Sequence, residues 1–253
     1  MTPARASQLR ALRARVAQAE GGRRHGVLPF GDGRVDACFP AGGLPLGRWH
    51  ELAGEGIEAE TAACVAAFTA VLAARLAKTG EVVWVLQRPD LHAPGAAGLG
   101  VAPGRLLFVE AGDDAEALAA LEDALRARGV AAVVGEVDRL DLVAGRRLQL
   151  ACEGSGATGF VLRRRVFGRR RGEKEGGPSA ATTRWRVAPA PSEPAAGEPG
   201  LGAPRWRVRL DRCRGGRAGA WIMEANDEAD PVRVVAELAD HELAAAPARR
   251  AVG

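Results

Sequence analysis

Short apolar runs alternate with longer helical patterns between residues 47 and 165, and this alternation constrains the fold more than any other feature. Runs such as EVVWVLQ and VAAVVGEV have apolar centres, which is typical of strands buried on both faces. Strands that alternate with helices indicate an α/β fold with a mostly parallel sheet between helices. The predicted strands are 48–54, 81–87, 104–111, 130–137 and 156–165, and the predicted helices are 61–78, 113–129 and 139–153.

The composition changes after residue 165, because glycine, proline, alanine, arginine and glutamate dominate up to residue 204. Within that segment only TTRWRVAP, residues 182–189, has a strand pattern. The next stretch, with glycines at its centre, predicts a C-terminal β-hairpin. We therefore divide the chain into an N-terminal amphipathic helix (1–25), an α/β core (26–165), a mobile segment with one strand (166–204), a β-hairpin (205–226), and a C-terminal helix with a frayed tail (227–253).

The amino-acid composition indicates which ligands and which cellular location the chain suits. The 253 residues have a formal charge of +4, and arginine carries nearly all the positive charge. This usage suits contacts with phosphate or carboxylate, although the base composition of a gene has the same effect. The four cysteines and four histidines are scattered, so we expect no zinc site, other metal site or disulfide framework. No charged leader precedes an apolar run, and the longest apolar stretch contains Arg75, which predicts a cytoplasmic protein without membrane contact.

The octet GEGIEAET, residues 54–61, follows a predicted strand and opens a predicted helix. A phosphate-binding P-loop has Gly, four residues, Gly, Lys and then Ser or Thr at such a place, where helix amides face phosphate. Gly54 and Thr61 match this pattern, whereas Ala59 replaces the second glycine and Glu60 replaces the lysine. The octet therefore indicates a degenerate P-loop, retained as architecture.

The lost lysine is decisive for nucleotide chemistry, since it reaches the β- and γ-phosphates in a working P-loop. With Glu60 there, each charge pair at about 4 Å and an effective dielectric of about 20 changes from roughly 4 kcal/mol of attraction to a similar repulsion. Glu136, after Gly135, is the best match to a Walker B carboxylate, where aspartate is usual. We expect no ATP hydrolysis, no bound cofactor and no catalytic residues, because no other catalytic constellation stands out.

The segment AGGLPLGRWHELAG, residues 41–54, resembles the lead-in to the P-loop of the RecA recombinase family. The resemblance implies a RecA-like core. In that family the strand corresponding to 81–87 leads into a catalytic glutamate, whereas this chain has Gln87, Arg88 and Pro89. The matching residues of the lead-in are Gly42, Gly43, Leu44, Pro45, Gly47 and Arg48, with weaker matches at 99–101, 130–137 and 161–165.

Over residues 25–240 the chain resembles the ImuA family most closely, on the degenerate octet, TRWRVAPAPS (183–192) and PRWRVRLDRCRGGRAGAWIMEA (204–225). This resemblance implies a non-catalytic RecA-like adaptor in SOS-induced translesion DNA synthesis. Its implied partners are an ImuB-like pseudo-polymerase, RecA and an error-prone polymerase. Two alternatives stay open: a SulA-like inhibitor of cell division, and a divergent P-loop ATPase that uses Thr61 and Glu136.

Four surfaces are candidates for partner contacts. A basic run around residues 163–171 lies where RecA-like proteins carry a DNA-contacting loop, and such a run favours weak, nonspecific binding of single-stranded DNA. The hairpin presents tryptophan and arginine, which are enriched at binding hot spots, although its tryptophans and apolar residues also suit a core edge. The two terminal helices complete the set. The candidate nucleic-acid contacts are Arg163, Arg164, Arg165, Arg169, Arg170 and Arg171; the candidate partner contacts are Leu9, Leu12, Val16, Trp206, Arg207, Arg209, Arg212, Arg214, Arg217, Trp221, Val232, Val235 and Leu238.

Overall fold

A computed structural model describes residues 25–164, 178–194, 197, 199–226 and 231–238 of the chain. Eleven strands and five α-helices lie within these residues. The strands are β1 (Val27–Leu28), β2 (Leu44–Pro45), β3 (Trp49–Gly54), β4 (Glu81–Leu86), β5 (Leu106–Glu110), β6 (Val130–Val137), β7 (Thr158–Arg163), β8 (Thr183–Ala190), β9 (Arg205–Cys213), β10 (Gly219–Ala225) and β11 (Val232–Glu237). The helices are α1 (Gly33–Asp36), α2 (Glu58–Leu76), α3 (Ala93–Gly98), α4 (Asp114–Arg126) and α5 (Leu142–Ser155).

Nine strands form one sheet in the order β11-β10-β9-β8-β3-β7-β6-β4-β5. The six strands from β8 to β5 run parallel to one another, whereas β9, β10 and β11 continue the sheet in antiparallel fashion from β8. The predicted α/β class, the mostly parallel sheet and the C-terminal hairpin are therefore confirmed. The hairpin extends the same sheet as the core, because β9 pairs with β8 and β8 pairs with the central strand β3.

Apolar side chains on both faces of the sheet form two core layers. One layer packs around α2 and contains Phe68, Trp84 and Trp185. The other lies under α4 and α5 and contains Leu121 and Leu148. Helix α2 is long and apolar enough by composition to cross a membrane, but 56% of its apolar window is buried inside the fold. Its apolarity therefore suits its place against the sheet.

Aspartate caps fix where two helices begin. Asp113 accepts a hydrogen bond from the amide of Glu116 at the start of α4, and Asp141 accepts one from Ala144 at the start of α5. Each bond satisfies an amide that has no partner within its helix. Because β4, β6 and β7 are parallel, their carboxyl ends lie side by side. The residues that follow these strands therefore meet beyond those ends, close to the start of α2.

The predicted C-terminal helix is wrong. Residues 232–237 form β11, which pairs with β10. Val232 and Val234 face the core while Arg233 and Val235 are exposed, so burial alternates with the period of a strand. β-branched valines pack well on a pleated surface, and the free side of β10 provides the backbone partners that a strand needs. Val232, Val235 and Leu238 therefore do not share one face.

The assignment of Trp206 to a partner surface is also wrong. Trp206 is buried in the core layer around α2, and its ring centroid lies 5.8 Å from that of Phe68 in an edge-on contact. Trp221, on the neighbouring strand, is fully buried in the same layer. Trp206 therefore holds the hairpin against α2, and both tryptophans form part of a core edge.

A buried histidine links the lead-in to the sheet centre. The two ring nitrogens of His50 lie 2.9 Å from the carbonyl oxygen of Pro45 and 2.7 Å from Oγ1 of Thr183. Trp185 donates its indole N–H to the same hydroxyl at 2.7 Å. Burial lowers the pKa of His50 to about 4, so its neutral ring joins β2, β3 and β8 at neutral pH.

Candidate functional site at the start of helix α2

The octet forms a tight connection between a buried strand and a core helix. Strand β3 ends at Gly54 and helix α2 begins at Glu58, so the predicted strand, turn and helix are present. Gly56 has a φ of +124°, a backbone conformation that side chains with a Cβ rarely adopt. The Glu55 amide donates to the carbonyl of Val187 at 3.1 Å, which ties the turn to β8.

Thr61 fills the space inside this turn. Its side chain is buried, and its hydroxyl donates to the carbonyl of Ile57 at 3.0 Å. A Cβ added to Gly54 would lie 2.6 Å from the Cβ of Thr61, which is far inside van der Waals contact. The two residues that match the P-loop pattern therefore pack directly on each other.

The residues that depart from the pattern face solvent. Ala59 and Glu60 are both exposed on the first turn of α2. Glu60 therefore places a carboxylate at the position where a P-loop has its lysine. Negative charge at the first turn is favourable for the helix dipole and unfavourable for an incoming phosphate.

A charged cluster stands beside the turn, at the carboxyl ends of β4, β6 and β7. Its centre is Arg164, which donates to Glu136 at 2.7 Å, to Asp90 at 2.8 and 2.9 Å and to Glu58 at 3.2 Å. Arg88 pairs with Glu58 as well. We call these five residues the Arg164 cluster. It contains three carboxylates and two guanidinium groups, so most of its charge is neutralised internally.

Burial and pairing shift the pKa values within the Arg164 cluster. Burial raises the pKa of Glu136 above its usual value, although Arg164 and the indole of Trp84 at 3.3 Å act in the opposite direction. The hydrogen bond from Arg164 lowers the pKa of Asp90. Burial would lower the pKa of Arg164, but its bonds to Asp90 and Glu136 outweigh that and raise it. Arg164 is therefore charged at every accessible pH.

A pocket of about 560 Å³ opens next to the Arg164 cluster. Helix α2 lines one wall with small side chains, and residues in and around α3 line the opposite wall. Volumes of this size accommodate a small molecule or the side chains of a partner. The five residues of the Arg164 cluster line the polar side of the pocket. The other lining residues are Ala59, Ala62, Ala63, Ala66, Ala67, Ala70, Leu91, His92, Gly95, Ala96 and Leu99.

This arrangement suits structural bonding more than metal or phosphate chemistry. The carboxylate of Glu136 is engaged by Arg164, so a metal ion would have to displace a guanidinium group. Gln87 donates to Asp114 at 2.7 Å and to the backbone carbonyl of Glu136 at 3.1 Å. These two hydrogen bonds occupy its side-chain amide. In the described part of the chain no three His, Cys, Asp or Glu side chains are placed to hold a metal ion together.

The structure separates the predicted basic run. Arg164 belongs to the buried cluster, and Arg163 donates to the carbonyl of Asp138 at 2.6 Å and lies 3.5 Å from Glu51. Both side chains are largely buried, so neither extends into solvent as a loop arginine would. Four members of the predicted run lie outside the described residues: Arg165, Arg169, Arg170 and Arg171.

The hairpin arginines occupy different environments. Arg207 and Arg209 lie 3.4 and 3.1 Å from the Glu55 carboxylate and so connect β9 to the octet turn. Arg212 is exposed and donates to the carbonyls of Ser179 and Ala181. Arg214 and Arg217 are exposed at the tip of the hairpin. The predicted N-terminal contacts Leu9, Leu12 and Val16 lie outside the described residues.

Sequence reasoning missed the Arg164 cluster as a unit. Arg88 and Asp90 follow the apolar run of β4 directly, and Arg164 follows β7 in the same way. Charged residues that directly follow buried parallel strands meet at the carboxyl ends of those strands. This rule predicts that Arg88, Asp90 and Arg164 lie close together. Arg164 instead falls within the basic run for which the sequence predicts contact with nucleic acid.

Comparison with known proteins identifies the family. No model of a known protein family matches the chain. Two relatives, each named protein ImuA, come from Caulobacter vibrioides strains NA1000/CB15N and ATCC 19089/CIP 103742/CB 15. Each is 54% identical over 234 residues, which is 90% of this chain and 96% of the relative. The chain belongs to the ImuA family. The resemblance to the ImuA family found in the sequence is thereby confirmed.

A solved structure with a more distant likeness to this ImuA family member is SulA from Pseudomonas aeruginosa. It is 23% identical, has a TM-score of 0.39, and covers 46% of this chain and 96% of the SulA chain. A likeness of that size supports no conclusion about shared fold or function.

Proposed function

We propose that this chain is a non-catalytic adaptor with a RecA-like core, which acts in damage-induced mutagenesis by translesion synthesis. Membership of the ImuA family supports the process. The single observation that supports the absence of catalysis is the Arg164 cluster, in which an arginine from the chain itself engages Glu136, the carboxylate at the Walker B position. In this proposal the octet is a degenerate P-loop whose strand, turn and helix persist as architecture.

The proposed partners are an ImuB-like pseudo-polymerase and RecA, with an error-prone polymerase in the same complex, in the cytoplasm. Exposed arginines at the hairpin tip, Arg214 and Arg217, offer a surface for such a partner, since arginine is enriched at binding hot spots. Weak contact with single-stranded DNA is part of the proposal only for arginines 165 and 169–171. Arg163 and Arg164 already serve the fold.

The adaptor role is tested by ultraviolet-induced mutation frequency in a strain that lacks the gene. We expect induced mutation to fall towards the spontaneous level and to be restored by the wild-type gene and by Glu60→Ala. Survival and cell length are scored in the same cultures. Unchanged mutation frequency, together with damaged cells that fail to arrest division, would overturn the proposal in favour of a SulA-like inhibitor.

Absence of catalysis is tested separately on the purified chain. We expect no Mg²⁺-dependent release of phosphate from ATP above the background of a blank without protein. Thr61→Ala is the matched variant, because Thr61 is the one octet side chain of the kind that holds Mg²⁺ in a P-loop. Turnover by the wild type that Thr61→Ala abolishes would show a divergent ATPase.

A further inference from the structure

Strand β5 is an edge of the sheet with apolar side chains open to solvent. Among the described strands β5 has one neighbour, β4. Leu107, Phe108 and Val109 are 53%, 43% and 37% exposed. Contiguous exposed apolar residues on a folded protein mark an interaction surface, and an open edge also presents unpaired backbone amides and carbonyls.

The exposed side chains of β5 lie next to both core layers. Phe108 lies beside Trp84 in the pairing of β5 with β4, and Leu107 and Val109 lie beside Val83 and Val85. Trp84 belongs to the core layer around α2, whereas Val83 and Val85 belong to the layer under α4 and α5. The two hydrophobic layers therefore continue past β4 and end in water at β5.

The opposite edge of the sheet is protected. Strand β11 follows Pro231, carries the charged Arg233 paired with Glu224, and shifts its register against β10 near Ile222. Proline, charge and irregular register are the usual means by which proteins prevent edge pairing. Within β5, residues 106–110, there is no proline or lysine, and its pairing with β4 has no register shift.

We infer that β5 pairs with β5 of a second copy of this chain. The ends of the strand are complementary in charge, because Arg105, which also pairs with Glu81 of its own chain and is half exposed, precedes it and Glu110 closes it. Antiparallel pairing sets the basic start of one copy against the acidic end of the other, whereas parallel pairing would set like charges together. Closed two-fold dimers are the commonest soluble assemblies.

The strand's own length fixes the register of this pair. Full overlap of the five residues Leu106–Glu110 centres the two-fold axis on Phe108. Phe108 then faces Phe108 of the other copy, and Leu107 faces Val109 twice, so every exposed apolar residue gains an apolar partner. A second copy also brings helices on both faces, which cover the two core layers as an isolated peptide strand would not. This inference is independent of the proposed function.

Sedimentation of the full 253-residue chain tests the dimer. Protein is examined from about 1 to about 100 µM, so that a dimer with a micromolar dissociation constant is seen to form as the concentration rises. We expect the wild type to move towards twice the 26.4 kDa of one chain, and Phe108→Lys to stay at the mass of one chain. Val143→Lys is the matched control, because Val143 is 68% exposed and its helix α5 packs on β3 and β7, which β6 and β4 separate from β5. It should dimerise as the wild type does.

Cross-linking tests the register. Phe108→Cys should form an intermolecular disulfide under mild oxidation, because residue 108 faces itself across the axis. Leu150→Cys, an exposed position on α5, should not. Circular dichroism and thermal unfolding confirm that each variant is folded. A wild type that stays monomeric at every concentration, or Phe108→Lys and Val143→Lys that dimerise equally, overturns the inference.

Discussion

The Nη1 atom of Arg164 lies 2.7 Å from Oε2 of Glu136, and this pair joins the residue after β7 to a carboxylate buried in β6. The same guanidinium group reaches Asp90 after β4 and Glu58 at the start of α2. One side chain therefore connects the ends of three strands to helix α2, which begins within the octet.

Removal of this side chain should destabilise the fold strongly. We expect Arg164→Ala to lower the free energy of unfolding by about 3 to 5 kcal/mol, because it leaves a buried carboxylate without its counter-ion. Urea denaturation measures the change. Arg207→Ala is the control, since Arg207 is well exposed and 3.4 Å from Glu55, and should cost less than about 1 kcal/mol. Equal losses in the two variants would contradict the structural role of the cluster.

The contact between Gly54 and Thr61 has a steric consequence. Gly54→Ala should lower the free energy of unfolding by about 1 to 3 kcal/mol or more, because the new methyl group overlaps the Thr61 side chain. Gly33→Ala is the control, since a Cβ at Gly33, in helix α1, meets nothing within 4 Å. That change should be neutral or stabilise by up to about 1 kcal/mol. Thermal unfolding compares the two, and a neutral Gly54→Ala would show that the turn has room.

His50 makes stability depend on pH in a defined window. Its folded pKa is about 4 and its ordinary value is 6.5, so the unfolded chain binds the proton more readily between these values. Stability is therefore fully present above pH 6.5 and falls towards pH 4, by up to about 3 kcal/mol from this group. Urea denaturation from pH 7 to pH 4 measures the slope.

His50→Gln provides the comparison for that slope. We expect the variant to be less stable at pH 7, because it loses the ring contacts with Pro45 and Thr183. Its stability should change less between pH 6.5 and pH 4 than that of the wild type. A wild type and variant with the same slope would mean that other groups cause the pH dependence.

The strand assignment of residues 232–237 predicts opposite effects at adjacent positions. Val234 is 9% exposed and Val235 is 41% exposed. Val234→Asp should lower the free energy of unfolding by more than about 2 kcal/mol, because it buries a carboxylate without a partner. Val235→Asp should change it by less than about 1 kcal/mol. A helix with Val232, Val235 and Leu238 on its buried face would give the reverse order in the same denaturation experiment.

Local pattern predicted the central fold well, because each core strand and helix has its own periodicity. EVVWVLQ and VAAVVGEV form β4 and β6. The predicted helix with an acidic start is α4, which Asp113 caps. The predicted C-terminal helix is wrong because Val232 and Val234 also fit the alternation of a strand, and the open edge of β10 is available to pair with them. The Arg164 cluster was missed since its members lie up to 106 residues apart and only the sheet brings them together.

The place of β3 between β7 and β8 has a consequence for how the chain acquires its structure during synthesis. His50 contacts Thr183 across 133 residues of sequence. The second side of β3 therefore stays unpaired until β8 has been synthesised. Contacts of such separation slow folding and leave hydrophobic surface open meanwhile. On the ribosome, the first half of this sheet emerges well before its middle can close, and chaperone dependence of the nascent chain is the expected result.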